Sequence, residues 1–304
     1  MQPGRQNVPD SLPFSKLAGG GNDFVVVDNR KSLVSDPAAF ARRVCTRALS
    51  VGADGLILIE GSGTATFRMR YFNSDGSLAA FCANGTRCAA RFAFLNLIAG
   101  KQMSIETDAG IVGAEAGDET MVTLSLPVPD RFQKDRPLRV GELEILGSSI
   151  VVGVPHYVVF LREGFWNQEI ANLGRAIRRH PDLAPEGANV NFVFVRDRHA
   201  IEVRTYERGV EGETLSCGSG VVASVVTSAL SNRVESPVSV LTRSGITLQV
   251  SFRHEFDFVS DLKLKGDARL IYSSALTAET LDGFDPEFVR NPASRTGMNV
   301  ARGQ

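Results

Sequence analysis

The chain has 304 residues, of which 43% are hydrophobic and 22% charged, and its formal net charge is −1. That composition is ordinary for a globular protein, and the near-zero charge gives nucleic acid or a membrane surface no bulk electrostatic hold. The length suits one large domain or two of ordinary size, and no stretch approaches the roughly 20 apolar residues of a membrane span.

Residues 1–11 are polar and read as a loosely ordered arm. They contain no apolar core of a secretory signal, so a cytoplasmic location is expected. Strand character follows in "DFVVVD" (23–28), whose β-branched run reads as buried. "DPAAFARRVCTRAL" (36–49) predicts a helix with Asp36 as N-cap and Pro37 in its first turn. "GLILIE" and "TFRMRYFN" alternate as strands, "SDGS" (74–77) is a turn, and "NGTRCAARFAFLNLI" (84–98) predicts an apolar helix. Three short strands follow. "PVPDRFQKDRP" (127–137), with three prolines and several charges, is the expected domain boundary.

The second half repeats the plan. "SSIVVGVPHYVVFL" reads as strands, "NQEIANLGRAIRRH" (167–180) as a helix, and "NVNFVFVRD" and "AIEVRTYER" as two strands. "GSGVVASVVTSALSN" (218–232) predicts a helix, followed by closing strands. Beyond about 276 periodicity fades and a frayed tail is expected.

Each half therefore carries a glycine-rich turn, a strand, and later a cysteine at a helix start. The spacing matches: 60 residues from Asn22 to Cys82 and 62 from Pro155 to Cys217. The two segments align as "CANG" and "CGSG". The other two cysteines, Cys45 and Cys88, fall inside apolar helices and read as core residues. No C-x-x-C pair exists and the four histidines are scattered, so no metal site is expected.

A helix N-terminus presents unpaired N–H groups and the positive end of a dipole, so a cysteine there is expected to have a lowered pKa. Small residues after it let a carboxylate approach those N–H groups. Taken singly, Cys82 and Cys217 are open to two readings, a core thiol or a reactive one. Taken as a matched pair across a cleft, they suit one task. One thiolate removes a proton from the carbon beside a carboxylate, and the opposite thiol returns a proton to the other face. Configuration is inverted and no cofactor is needed.

The segments "FSKLAGGGNDFVVVD" (14–28), "GADGLILIE" (52–60), "FNSDGSLAAFCANGTRCAARF" (72–92), "VGVPHYVVF" (152–160), "ANVNFV" (188–193) and "YERGVEGETLSCGSG" (206–220) together resemble the diaminopimelate epimerase family. The resemblance runs from Phe14 to about Tyr272. It implies an α/β (α+β) fold of two pseudo-symmetric domains, each a curved mixed sheet wrapped around a central helix, with the active site in the cleft between them. The first domain would take 12–129 plus about 267–275, the second 130–266, and 1–11 and 276–304 would be loosely ordered. It implies interconversion of LL- and meso-diaminopimelate in lysine and peptidoglycan biosynthesis, with Cys82 and Cys217 as base and acid and no cofactor. Of the remaining residues, His156 and Glu207 would tune the thiols. Ala83, Asn84, Gly85, Gly218 and Ser219 would receive the reacting carboxylate, and Asn22 would form part of the wall. Asn73, Asn189, Arg208 and Glu207 would hold the distal amino acid group. A homodimer is implied.

The chain departs from the family pattern at Val154, where Asn is frequent, at Ala83, where Gly is usual, and at Leu78, where an acidic residue is common. "ERGVEGET" is also one residue longer than the shorter form of that motif. These departures bear on substrate choice. They leave one alternative, a cofactor-independent racemase of another amino acid, of histidine or proline type.

Overall fold

The structure, a computed structural model, describes residues 11–162, 165–256 and 258–291. The first half runs β1 (Leu12–Gly19), β2 (Asn22–Asp28), α1 (Pro37–Val44), β3 (Gly55–Glu60), β4 (Phe67–Asn73), β5 (Leu78–Ala79), α2 (Ala83–Leu95), β6 (Gln102–Thr107), β7 (Gly110–Glu115) and β8 (Met121–Ser125). The second runs β9 (Asp130–Val140), β10 (Leu143–Val152), β11 (Val154–Phe160), α3 (Ala171–Arg178), β12 (Asn189–Asp197), β13 (Ala200–Glu207), β14 (Gly212–Thr214), α4 (Gly218–Leu230), β15 (Val238–Thr242), β16 (Thr247–Glu255), β17 (Phe258–Asp267), β18 (Arg269–Leu276) and α5 (Pro286–Arg290). No helix among the described residues is long and apolar enough to cross a membrane.

The halves share one topology. In the first, β1–β2, β3–β4, β4–β5, β6–β7 and β7–β8 pair antiparallel, while β2–β3 and β4–β6 are parallel. Every one of these pairings recurs, with the same sense, nine strands later. Each parallel β2–β3 or β11–β12 step encloses a short helix, α1 or α3, because parallel neighbours need a crossover. The result is a mixed sheet in each half, curved around α2 or α4.

Two strands are exchanged. β9 follows the first half but pairs with β10, from Leu143↔Val140 onward. β18 follows the second half but pairs with β1, from Leu12↔Leu276 to Ala18↔Arg269. The sheets also join directly where β8 meets β17, with Leu124 opposite Leu264. The proline-rich stretch expected as the domain boundary is largely strand β9, paired with β10.

Nearly all of both central helices is buried; α4 carries no charge, as burial on all sides requires, while α2 also buries Asn84, Arg87 and Arg91. Around them lies one continuous core that includes Phe24, Ile57, Phe67 and Ile105 from the first half and Val193, Val203, Val240 and Val250 from the second. A separate cluster packs under α1, with Phe40 and Val44, and another beside α3, with Ile177 and Phe192.

The expectation of a loose tail from 276 is corrected where the chain is described. Ala278–Thr280 forms a 3₁₀ turn and α5 follows it. Leu281 is buried, and Arg43 of α1 donates to the carbonyls of Leu281 and Phe284. The arm 1–10 and the residues 292–304 lie outside the described residues. Helix α1 also ends at Val44, short of the expected 49.

Candidate active site

Cys82 and Cys217 are the N-caps of α2 and α4, both with extended backbone. The Gly85 N–H donates to Cys82 Sγ at 3.4 Å, and Cys217 Sγ lies 3.4 Å from Ser219 Oγ. The two helix starts abut. A side-chain carbon built at Gly218 would lie 2.7 Å from Ala83 Cβ, so only glycine fits there. Asn84 Nδ2 reaches across to the carbonyl of Ser216, at 3.4 Å, just before the second thiol. The Ala83 methyl is thus spent on the opposite helix start.

The turn between β1 and β2 closes over this point. Gly20 has φ +60, its N–H donates to Asp267 Oδ1, and a side-chain carbon there would strike the Asn84 carboxamide at 2.6 Å. Glycine is required on both counts. Asn22, at the end of the turn, accepts from Asn84 Nδ2 and donates to Asp54 Oδ2, both at 2.9 Å.

Burial sets the resting charge of the thiols. It pushes Cys82 up to about 11, although the Gly85 and Asn84 N–H groups and the Arg87 charge pull the other way. It raises Cys217 further, with the charge of Glu207 the next contribution. The expected lowering at a helix start is therefore reversed, because loss of solvent outweighs the helix-end donors. Glu207 acts on both thiols, and burial raises its own pKa. The other two thiols behave as core residues: Cys45 is raised to about 12 and Cys88 also upward, both by burial.

His156 is 1% exposed and burial pulls its pKa down to about 3, so it is neutral. Asn191 Nδ2 donates to its Nδ1 at 3.0 Å, and Thr205 Oγ1 donates to Asn191 Oδ1. Nε2 is buried with no hydrogen-bond partner among the described residues.

The distal residues are placed less uniformly. Asn189 sits opposite His156 on the neighbouring strand, and its Oδ1 accepts from the Arg208 N–H at 2.8 Å. Arg208 donates to the Glu186 carbonyl and faces the Glu186 carboxylate at 4.0 Å. Asn73 is held in the 73–77 turn, where Nδ2 donates to Ser77 Oγ at 2.9 Å. Leu78 is exposed, and the longer "ERGVEGET" turn is closed by Glu211 at φ +56, which accepts from the Gly209 N–H.

Three residues of the site carried no signal that the sequence reading used. Arg87, fully buried, donates to Asn84 Oδ1 at 2.7 Å. Asp54 anchors Asn22, and Asn191 holds His156. Arg87 stands one helical turn after Asn84, and that spacing could have identified it. Among the described residues, no group of three or more His, Cys, Asp or Glu side chains is arranged to hold a metal ion.

The family model described as diaminopimelate epimerase matches residues 14–126 and 148–263, one segment in each half. Diaminopimelate epimerase of Aquifex aeolicus is 42% identical over 285 residues, spanning 89% of this chain and all of that protein. The Hydrogenobaculum protein of the same name is 38% identical, over 88% of this chain and 99% of its own. Among solved structures, a PhzF-family phenazine biosynthesis protein of Bacillus anthracis superposes with TM-score 0.68 at 14% identity, covering 88% of this chain and 99% of that one. A probable proline racemase of Agrobacterium radiobacter does so with TM-score 0.67 at 17% identity, covering 90% and 94%. At those identities the likeness speaks to fold alone.

Proposed function

This chain belongs to the diaminopimelate epimerase family, and on that premise we propose that it interconverts LL- and meso-2,6-diaminopimelate through Cys82 and Cys217, without a cofactor. The observation that carries the reading is the meeting of two thiol-capped helix starts at Ala83 and Gly218. The reacting carboxylate lies on the N–H groups of Ala83, Asn84, Gly85, Gly218 and Ser219. Those donors stabilise the negative charge that grows on it as the α-proton leaves.

Both thiols rest protonated, so a thiolate forms only when its proton has somewhere to go. We assign that acceptor to Glu207, whose charge acts on both. The thiolate then takes the α-proton from one face, and the opposite thiol supplies one to the other, ending as the thiolate. Which cysteine is the base depends on the stereoisomer bound, the starting protonation state is restored by proton exchange before the next turnover, and the two thiols titrate as a pair. His156, neutral, offers a hydrogen bond rather than a charge.

Asn73, Asn189 and Arg208 are assigned to the distal amino acid group, where a guanidinium fork and amide oxygens suit a carboxylate and an ammonium. A place in lysine and peptidoglycan synthesis, a homodimer and a cytoplasmic location belong to the same reading. The test is incubation of the reduced protein with LL- or meso-diaminopimelate in deuterated water, with proline and histidine as parallel substrates. Epimerisation with α-deuteration of diaminopimelate is expected, and Cys82→Ala and Cys217→Ala should each abolish it. Turnover of proline or histidine alone would move the assignment to the racemase alternative.

A further inference from the structure

Arg87 is fully buried, which is costly for a guanidinium, and burial pushes its pKa down. Its three hydrogen bonds go to neutral oxygens: Asn84 Oδ1 at 2.7 Å, and the carbonyls of Ala83 and Asp267, each at 3.3 Å. A buried cation with such partners calls for an explanation beyond packing, and the polarity of the network around it supplies one.

A guanidinium only donates. The oxygen of the Asn84 carboxamide must therefore face Arg87, and its NH₂ must face away. That NH₂ donates to Asn22 Oδ1 at 2.9 Å and to the Ser216 carbonyl at 3.4 Å. Asn22 must then present its own NH₂ to Asp54 Oδ2, at 2.9 Å, and a carboxylate only accepts. Both ends of the chain are single-minded, so neither amide can turn over. With Asn84 reversed, its NH₂ would meet the guanidinium and its oxygen would meet two acceptors. The link to Ser216 fastens the residue before Cys217 to the turn that follows Cys82.

We propose that Arg87 is the positioning residue of the site: it sets the orientation of the Asn84 carboxamide and, through it, the register between the two thiols. Its charge has a second effect, on Cys82. The groups acting on that thiol are Glu207, which disfavours the thiolate, the Gly85 and Asn84 N–H groups and Arg87, which favour it, with Tyr71 and Cys217 coupled to it. Near Arg87 lie Asp267, whose oxygens are held by the Gly20 N–H and Arg269, and Cys88.

The proposal rests on the two-thiol reading, but its first test needs no substrate. In full-length protein carrying Cys217→Ala, labelling of Cys82 by iodoacetamide is followed by peptide mass spectrometry at pH 9. Arg87→Met is expected to slow it about tenfold, and Arg87→Lys, which keeps the charge, to stay within about twofold. With both thiols present, Arg87→Lys is expected to lose at least about tenfold in kcat with KM within about threefold, because one ammonium cannot replace the fork. A purely structural role would lower the folded fraction and leave the labelling rate of the folded protein unmoved. Should Arg87→Met not fold, Asn84→Asp decides the matter. It keeps an acceptor for Arg87, gives up both donors, and is expected to lose about tenfold or more in kcat. Folded Arg87→Met labelling at the parent rate, or Arg87→Lys or Asn84→Asp turning over within about twofold of the parent, overturns the proposal.

Discussion

The methyl of Ala83 fills the space that a side chain at Gly218 would need, 2.7 Å from where that carbon would stand. Each thiol-bearing helix start is thus cut to fit the other, and the contact fixes how closely the two N-termini approach.

Gly218→Ala should push the helix starts apart. A rigid methyl against a rigid methyl in a packed site costs about 1–3 kcal/mol, and turnover should fall at least about tenfold. Adding Ala83→Gly should recover much of both losses. Urea unfolding and initial rates for the two single variants and the double measure the coupling, and additive effects would show that the residues do not meet.

Acid should weaken the fold through His156. Its folded pKa, about 3, lies below the ordinary 6.5, so the unfolded chain binds the extra proton between those values. The resulting stability is complete above about 6.5 and is lost as pH falls toward 3. Urea midpoints from pH 7 to 4 should therefore decline less steeply in His156→Gln than in the parent. Parallel slopes would show that His156 is not buried neutral.

The four thiols should differ in reactivity. Cys82, raised to about 11 and half-buried, should react with iodoacetamide before Cys217, which is raised further. Cys45 and Cys88 should stay unlabelled until the protein unfolds. Rates should climb about tenfold per pH unit below the pKa, since the thiolate is the nucleophile. Peptide mapping at pH 8 and 9 gives the order, and early labelling of Cys88 would contradict it.

Arg208 and Glu186 should separate binding from stability. Their carboxylate contact is long, 4.0 Å, and Glu186 is largely exposed, so Glu186→Ala should change stability by less than about 0.5 kcal/mol. Arg208→Lys and Arg208→Ala should each raise KM for diaminopimelate at least about tenfold, because an ammonium does not reproduce the fork. An unchanged KM would remove Arg208 from the distal clamp.

Much of the site was legible because its signals are local. A cysteine, small residues and an apolar run mark a helix start wherever they occur, and two such starts at matched spacing mark a repeat. What escaped depends on contacts distant in sequence. The raised thiol pKa values follow from burial by the folded chain, which a local reading of helix ends leaves out. Arg87 is one charge in an otherwise largely uncharged helix, and its role depends on Asn84, Asn22 and Ser216, which the fold brings together around it. Asn191 lay inside a recognised strand, and only the sheet brings it to His156.

The central claim is that two thiols on opposite faces share the proton transfer. Its most direct test is where deuterium goes at the start of the reaction, with LL-diaminopimelate in deuterated water and sampling before a tenth of it has turned over. Two thiols predict meso product carrying deuterium at the inverted carbon, while recovered LL substrate stays protiated. Deuterium in the recovered substrate at the same early times, or product that keeps the original proton, would mean one base serving both faces and would contradict the account.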